Sequence, residues 1–127
     1  MENFRVIIAG SRNFNNYELL KKECDAFLLD KKEKYNIIII SGGARGADFY
    51  GEKYAQDEGF SLEVFPANWN KFGKSAGFRR NEQMAEVADA LIAFWDGKSN
   101  GTKHMIEIME NKKLLVRVVN YETSDKA

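Results

Sequence analysis

The stretch that decides the fold is IIIISGGARGAD (residues 37–48), in which an apolar run ends in two adjacent glycines and an arginine. Four consecutive isoleucines favour a buried β-strand, because β-branched side chains pack well on a pleated surface. Gly42 and Gly43 leave the backbone bare at the end of that strand, where a helical pattern begins. Such a turn is typical of α/β proteins, where it serves either backbone geometry alone or the binding of phosphate.

Composition limits the possible classes of protein. The 127 residues are 44% hydrophobic and 13% aromatic, which suits one globular domain with a core. Lysine plus arginine equals aspartate plus glutamate at 19 each, so the net charge argues against nucleic acid and membranes as partners. We expect no secretion signal and no membrane span. The single cysteine, Cys24, excludes an intrachain disulfide, and a reducing, cytoplasmic location is expected.

Apolar runs and amphipathic stretches alternate along the chain. Strands are predicted over residues 4–9, 37–41, 62–65, 90–95 and 114–119, and most are continuously apolar, as parallel strands covered on both faces must be. Helices are predicted after Asn16, a suitable N-cap that leads Cys24 onto a buried face, and over about 45–57, 78–87 and 102–111. The pattern predicts one α/β domain over residues 1–120 and a polar tail over 121–127.

The loops that follow the strands carry an uneven share of charge. Ligands of open parallel sheets bind beyond the carboxyl ends of the strands, where these loops meet. In the four loops that follow the first four strands, the only acids are Asp48 and Asp96. The cations are Arg12, Arg45, Lys71, Lys74, Arg79, Arg80, Lys98 and Lys103. This positive rim on a chain without net charge predicts a site for an anionic small molecule.

The loop after the second strand is the predicted phosphate site. Backbone N–H groups at a helix start carry partial positive charge, and the paired glycines let a ligand approach them. Arg45 can add a charge-assisted hydrogen bond. Asp48 either accepts from a ribose hydroxyl or only favours the helix dipole. Gly43 and Gly46 also match the last two glycines of the dinucleotide fingerprint, although Ser41 replaces the first glycine.

Two further features leave alternatives open. The segment 66–81 reads as a long loop that covers a ligand, and Trp69 or Phe72 within it either stacks on a base or anchors the loop. Lone His104 is either a general acid or base, or a residue without a catalytic role. The lone Cys24 excludes a cysteine-rich metal site, no metal ligands are predicted, and the sequence identifies no cofactor.

Four segments together resemble a known family. In order and spacing, GSRNF, SGGARGAD, AGFRRNEQM and ADALIAFWDGKSNGTKH resemble the YspA-like branch of the SLOG superfamily over residues 4–119. This branch occurs in bacteria and phages. The resemblance implies a Rossmann-like three-layer sandwich, a five-stranded mostly parallel sheet of order 3-2-1-4-5, and a site for a nucleotide or nucleotide-derived ligand. Together with the positions of the loops, the resemblance predicts a set of ligand-binding residues. They are Gly10, Ser11, Arg12, Gly42, Gly43, Arg45, Gly46, Asp48, Trp69, Arg79, Arg80, Asn81, Asp96, Gly97, Ser99, Gly101 and Thr102.

A more distant similarity is to the Lonely Guy phosphoribohydrolases, which cleave the base from a nucleoside monophosphate. Two of their motifs are partly matched by Arg80, Asn81, Met84, Gly101 and Thr102. The position of their catalytic glutamate is occupied by Met105, which cannot act as an acid or base. Glu107 lies two residues further on, rotated by roughly 200° on a helix, and does not directly replace it.

These observations favour a binding domain that senses or sequesters a phosphorylated nucleotide derivative, such as an ADP-ribose-like molecule. An enzyme that cleaves an N-glycosidic or phosphate bond is the alternative, with Asp48, Asp96, His104 and Glu107 as candidate proton carriers. DNA binding, suggested by the superfamily, conflicts with the balanced charge. Apolar helical faces and the resemblance predict a homodimer.

Overall fold

A computed structural model describes residues 1–121 of the chain. In chain order its elements are β1 (Asn3–Gly10), α1 (Tyr17–Leu28), β2 (Asn36–Ser41), α2 (Ala47–Glu58), β3 (Ser61–Val64), α3 (Trp69–Phe72), a 3-10 turn (Gly73–Ser75), α4 (Ala76–Val87), β4 (Ala90–Trp95), α5 (Asn100–Asn111) and β5 (Leu115–Asn120). The predicted strands and the four predicted helices are all present. Over these described residues, no helix combines the length and apolar character needed to cross a bilayer.

The strands form one sheet in the order β3-β2-β1-β4-β5, and all four neighbouring pairs are parallel. The predicted fold class and strand order are therefore confirmed. β1 lies at the centre, where Ile7 pairs with Ile40 of β2 and with Leu91 of β4. These three side chains are fully buried, which explains why the inner strands are continuously apolar.

Helices cover both faces of the sheet. Because side chains alternate along a strand, Val6 and Ile8 of β1 pack in the core beneath α1 and α2, whereas Ile7 and Ala9 pack in the core beneath α4 and α5. The result is a three-layer sandwich. Cys24 is fully buried in the first core, as predicted, and burial raises the pKa of its thiol, which keeps it protonated.

Side-chain hydrogen bonds hold the start of the first helix and the end of the described chain in place. The Asn16 side chain accepts from the Leu19 amide at 3.0 Å, which confirms the predicted N-cap. Tyr121 was assigned to the polar tail, but its hydroxyl donates to Asn13 at 2.7 Å and its ring packs edge-on against Phe14. The remaining tail, residues 122–127, lies outside the described residues.

The interpretation of residues 66–81 as a long loop is wrong. After a short connection, Asn68 caps α3 by accepting from the Lys71 amide at 3.0 Å, and α4 already begins at Ala76. A single helical turn is too short to show periodicity in the sequence, and Gly73, with φ of 55°, redirects the chain after it. Arg80 lies in the second turn of α4, within the part of this helix that the sequence predicted, and the added first turn begins at Ala76.

Candidate functional site

A cavity of about 690 Å³ opens at the carboxyl edge of the sheet. It lies where the loops after β1, β2 and β4 meet α3, α4 and the start of α5, as the topology of a parallel sheet predicts. The predicted site residues that line it are Gly10, Ser11, Arg12, Arg45, Asp48, Trp69, Arg80, Asn81, Asp96, Ser99, Gly101 and Thr102.

Other predicted site residues lie elsewhere. Gly42 and Gly43 line a neighbouring cavity of about 410 Å³. Arg79 faces a shallow groove beside Phe72, and Gly46 and Gly97 line none of these three cavities in the described chain. The four candidate proton carriers do not all lie at the same cavity. Asp48 and Asp96 line the larger cavity, whereas neither His104 nor the exposed Glu107 is among its lining residues.

Gly42 allows an arginine and a carboxylate to lie close to the same stretch of backbone. The Arg80 guanidinium donates through Nη1 to the Gly42 carbonyl oxygen. A Cβ at Gly42 would lie 2.6 Å from Arg80 Nη1 and 2.8 Å from Asp48 Oδ2, closer than real Cβ atoms approach other groups. The physical reason for this glycine is thus the approach of two side chains, an explanation that the sequence analysis missed.

Asp48 is a buried acid at the wall of the cavity. Only 5% of the residue is exposed, and its carboxylate accepts from the Ala44 amide at 3.2 Å. Burial raises the pKa of Asp48 to about 6, although the Ala44 hydrogen bond and the nearby charges of Arg80 and Arg12 act in the opposite direction. Asp48 can therefore exchange a proton near neutral pH, unlike an exposed aspartate.

Some backbone N–H groups of the loop after β2 already donate hydrogen bonds within the protein. Gly43 N donates to Ser41 Oγ at 3.1 Å, and the Ala44 amide is used by Asp48. The helix α2 begins at Ala47, two residues after the predicted start. These two amides have protein partners, so they would have to exchange those hydrogen bonds to bind an anion, whereas Arg45 brings a charged side chain to the same loop.

Gly10 and Gly46 bring neighbouring loops together. A Cβ at Gly10 would lie 2.8 Å from Ala47 Cβ, and one at Gly46 would lie 2.6 Å from the Arg12 carbonyl oxygen. The loops after β1 and β2 can therefore touch, with the Ala47 amide donating to Ser11 O at 3.3 Å. This contact places the arginines of the two loops on the same cavity.

Asn81 joins the two helices on the other side of the cavity. Its Oδ1 accepts from Arg80 Nε at 3.1 Å, and its Nδ2 lies within hydrogen-bond distance of Gly101 O at 3.1 Å and His104 Nδ1 at 3.2 Å. The amide nitrogen is a donor, so His104 Nδ1 accepts and the imidazole carries its proton on Nε2. The His104 ring packs against Phe78, with the ring centroids 4.3 Å apart. Asn81 thus holds Arg80 and α5 in one arrangement.

Asp96 shapes the loop that leads into α5. Its Oδ1 accepts from the amides of Lys98 and Ser99, each at 2.9 Å, while Ser11 Oγ accepts from the Asp96 amide at 3.1 Å. Partial burial acts to raise the pKa of Asp96, but the hydrogen bonds outweigh it and the pKa is lowered. Asp96 therefore stays ionised at neutral pH and serves a structural function in this loop.

The aromatic residues of the site differ in availability. Trp69 is 52% exposed and lines both the larger and the smaller cavity. Phe72 is covered by Lys71, whose Nζ lies 5.1 Å from the ring centroid, and by Arg79, whose guanidinium carbon lies 4.6 Å away. Of the two aromatic residues proposed to stack on a base, only Trp69 lines the larger and the smaller cavity, whereas Phe72 lines the groove beside Arg79.

Lys74, predicted as part of the positive rim, also lines the larger cavity. The lining residues that were not predicted for the site are Ala9, Asn13, Ala44, Gly77, Phe78, Met84 and Met105. Met84 and Met105 are each 1% exposed and lie on the inner faces of α4 and α5. The sequence indicated Met84 only as part of a partly matched motif and Met105 only as the residue in place of a glutamate, and neither pattern specified a position in a cavity wall. The position expected to hold a catalytic glutamate is thus an apolar part of this wall.

Comparisons with known proteins agree with this architecture. Residues 4–72, more than half of the chain, match the family YAcAr, described as the YspA, cpYpsA-related SLOG family. The Gene 61 protein of Mycobacterium phage D29 is 34% identical over 127 residues, a match that covers 92% of this chain and 95% of that protein.

Two solved structures share the fold at low identity. DNA processing protein A (DprA) from Streptococcus pneumoniae has a TM-score of 0.73 and 15% identity, covering 98% of this chain and 52% of that one. The structure of TM1055 has a TM-score of 0.62 and 14% identity, covering 91% of this chain and 72% of that one. This chain therefore spans about half the length of DprA, and both likenesses concern the fold. Together with the family match and the phage relative, they lead to one conclusion: the chain belongs to the YspA, cpYpsA-related SLOG family.

Proposed function

We propose that this protein binds a nucleotide or a nucleotide-derived phosphorylated small molecule in the larger cavity, and that it senses or sequesters this molecule. The observation that carries the proposal is the convergence of cations and flat side chains on one cavity. Arg12, Arg45, Lys74 and Arg80 line it together with Trp69 and Phe78. A phosphorylated base needs both kinds of group, cations for its phosphate and flat apolar surface for its ring.

The positive charge of the cavity is largely uncompensated. Within residues 1–121, Arg12, Arg45 and Lys74 form no salt bridge with an acid. Arg80 is attracted to Asp48 but is repelled by Arg12, and burial together with this repulsion lowers the pKa of Arg80. An anion between these guanidinium groups would relieve the repulsion and replace the lost hydration.

Hydrolysis of the nucleotide is a second candidate, favoured by the buried, titratable carboxyl of Asp48 in the cavity wall. Two observations weigh against the mechanism of the phosphoribohydrolases. Met105 provides an apolar surface where their glutamate is expected, and Asp96 is held as an ionised loop residue by two amides. Binding without turnover is therefore the function that this chemistry supports best.

Isothermal titration calorimetry with AMP, ADP and ADP-ribose tests the proposal. Arg80→Ala should weaken binding by about tenfold or more, since a hydrogen bond to a charged group contributes roughly 1.5–3 kcal/mol. Lys112→Ala is the matched control because it also removes one cation, but at the far end of α5 from the cavity. The control should bind like the parent protein.

The outcome is decided by affinity and by products. If no nucleotide binds, or if Arg80→Ala and Lys112→Ala bind alike, the proposed site is refuted. Chromatography of the same mixtures detects turnover. Release of free base or phosphate, abolished by Asp48→Asn, would favour the hydrolase over the binding domain.

A further inference from the structure

The larger cavity has a smaller neighbour, and the two share one wall. The smaller cavity, of about 410 Å³, is large enough to hold a ligand group by itself. The residues that line both cavities are Arg12, Ala44, Arg45, Trp69 and Arg80. We call these five residues the shared ridge. Three of them are arginines, so positive charge is concentrated between the two cavities and not at one end.

The two cavities differ in chemistry beyond the shared ridge. The larger one continues to Phe78, Met84 and Met105, which offer aromatic and apolar surface. The smaller one continues to Gly42, Gly43, Pro66 and Ala67, which offer backbone and short side chains. A planar base suits the first lining. A compact polar group such as a sugar suits the second, because its hydroxyl groups can reach the backbone.

Gly43 contributes main chain without a side chain to the lining of the smaller cavity, and its amide donates to Ser41 Oγ at 3.1 Å. This residue has a φ of 74°, a conformation that glycine adopts readily, and a Cβ there would lie 3.2 Å from Val64 Cγ1. A side chain at this position would therefore strain the backbone and crowd Val64. In the sequence Gly43 suggested phosphate contact; in the structure it lines the smaller cavity together with the arginines of the shared ridge.

From this arrangement we propose that the ligand has two ends: a nucleoside diphosphate joined to a second polar group such as a sugar. The diphosphate lies on the shared ridge, the nucleoside occupies the larger cavity and the second group occupies the smaller one. This inference rests on the proposed function of the site. A nucleoside monophosphate would fill one cavity and leave the smaller one, with its share of the arginines, unused.

Calorimetry with defined probes tests the proposal. ADP carries only the first end of the ligand, whereas ADP-ribose and ADP-glucose carry both. The parent protein should bind at least one of the two-ended probes about tenfold more tightly than ADP, because the second group gains contacts without a second loss of translational freedom.

Two tryptophan substitutions fill one cavity each. Ala67 lines only the smaller cavity, so Ala67→Trp should reduce the ratio of the two-ended affinity to the ADP affinity to about one. Gly101 lines only the larger cavity and has open space around its Cβ position, so Gly101→Trp should weaken all three probes and preserve the ratio. Thermal unfolding checks both variants, and Ala67→Leu replaces Ala67→Trp if the tryptophan prevents folding.

The results separate this inference from the function on which it rests. If ADP binds but neither ADP-ribose nor ADP-glucose binds more tightly, the two-ended ligand is refuted while nucleotide binding stands. A preference that survives Ala67→Trp or Ala67→Leu would also refute it, since the second group would then lie elsewhere. If none of the three probes binds, both proposals fail.

Discussion

The buried carboxyl of Asp48 makes the stability of this protein depend on pH in an unusual direction. Burial raises the pKa of Asp48 from 3.8 to about 6 in the folded protein, so the folded chain holds this proton more tightly than the unfolded chain does. Between these two values the folded state binds more protons, and stability must fall as pH rises. Most aspartates, whose pKa is lowered on folding, have the opposite effect.

The magnitude follows from the difference between the two pKa values. That difference is about 2.2, and 1.36 kcal/mol per pH interval gives about 3 kcal/mol. The stabilisation is complete below the unfolded pKa, is lost progressively between about pH 4 and pH 6, and changes little above the folded pKa. For a domain stabilised by roughly 5–15 kcal/mol, this is a measurable fraction.

The matched variant is Asp48→Asn, whose side-chain oxygen can still accept from the Ala44 amide but does not titrate. Urea unfolding at several pH values gives the free energy of unfolding of both proteins. Their difference isolates Asp48, because the other titrating groups, including neighbouring Glu52, are common to both. Because part of the unfolded-state aspartate is already ionised at pH 4, the parent protein should lose roughly 2.4 kcal/mol of the full value relative to the variant between pH 4 and pH 7.

A difference that does not change with pH would refute the reasoning. It would mean that Asp48 is as well solvated in the folded protein as in the unfolded chain. A difference that changes in the opposite direction would mean that the attraction of Arg80 and the hydrogen bond from Ala44 outweigh the cost of burial.

Two further predictions concern the loops and the aromatic residues. Gly46→Ala should destabilise the protein by roughly 2 kcal/mol or more, because φ is 78° and a Cβ there would meet a loop carbonyl oxygen. Gly97→Ala, with φ of 82° but open space around the Cβ position, should cost only about 1 kcal/mol. Urea unfolding measures both losses of stability, and equal losses would contradict the packing argument. Trp69→Ala should weaken ADP-ribose binding by about tenfold, because base or sugar stacking contributes roughly 1–3 kcal/mol. Phe72→Ala should have little effect, because cations cover the Phe72 ring. Calorimetry measures both affinities, and a larger loss in Phe72→Ala would contradict this assignment.

Much of the cavity lining was predictable because it depends on topology. Once the strands were interpreted as parallel, the loops after β1, β2 and β4 had to meet at one edge, and this places Arg12, Arg45 and Asp96 together. The function of each residue was harder to predict. Asp96 was predicted as a ligand-binding residue or an acid, and the structure adds that two backbone amides occupy one of its carboxylate oxygens. Gly46 appeared to belong to a phosphate fingerprint, but it makes room for a neighbouring loop.

The amino-acid sequence alone determined the α/β character, because β-branched runs and helical spacing express preferences of neighbouring residues. Its four ordered segments also resemble the family, and this resemblance implies the strand order. Only the tertiary structure decided that Arg80 reaches the Gly42 carbonyl across 38 positions in the chain, that Asp48 is buried beside it, and that two cavities share the arginines. Burial and electrostatic environment depend on contacts between distant segments, and no local pattern of residues specifies them.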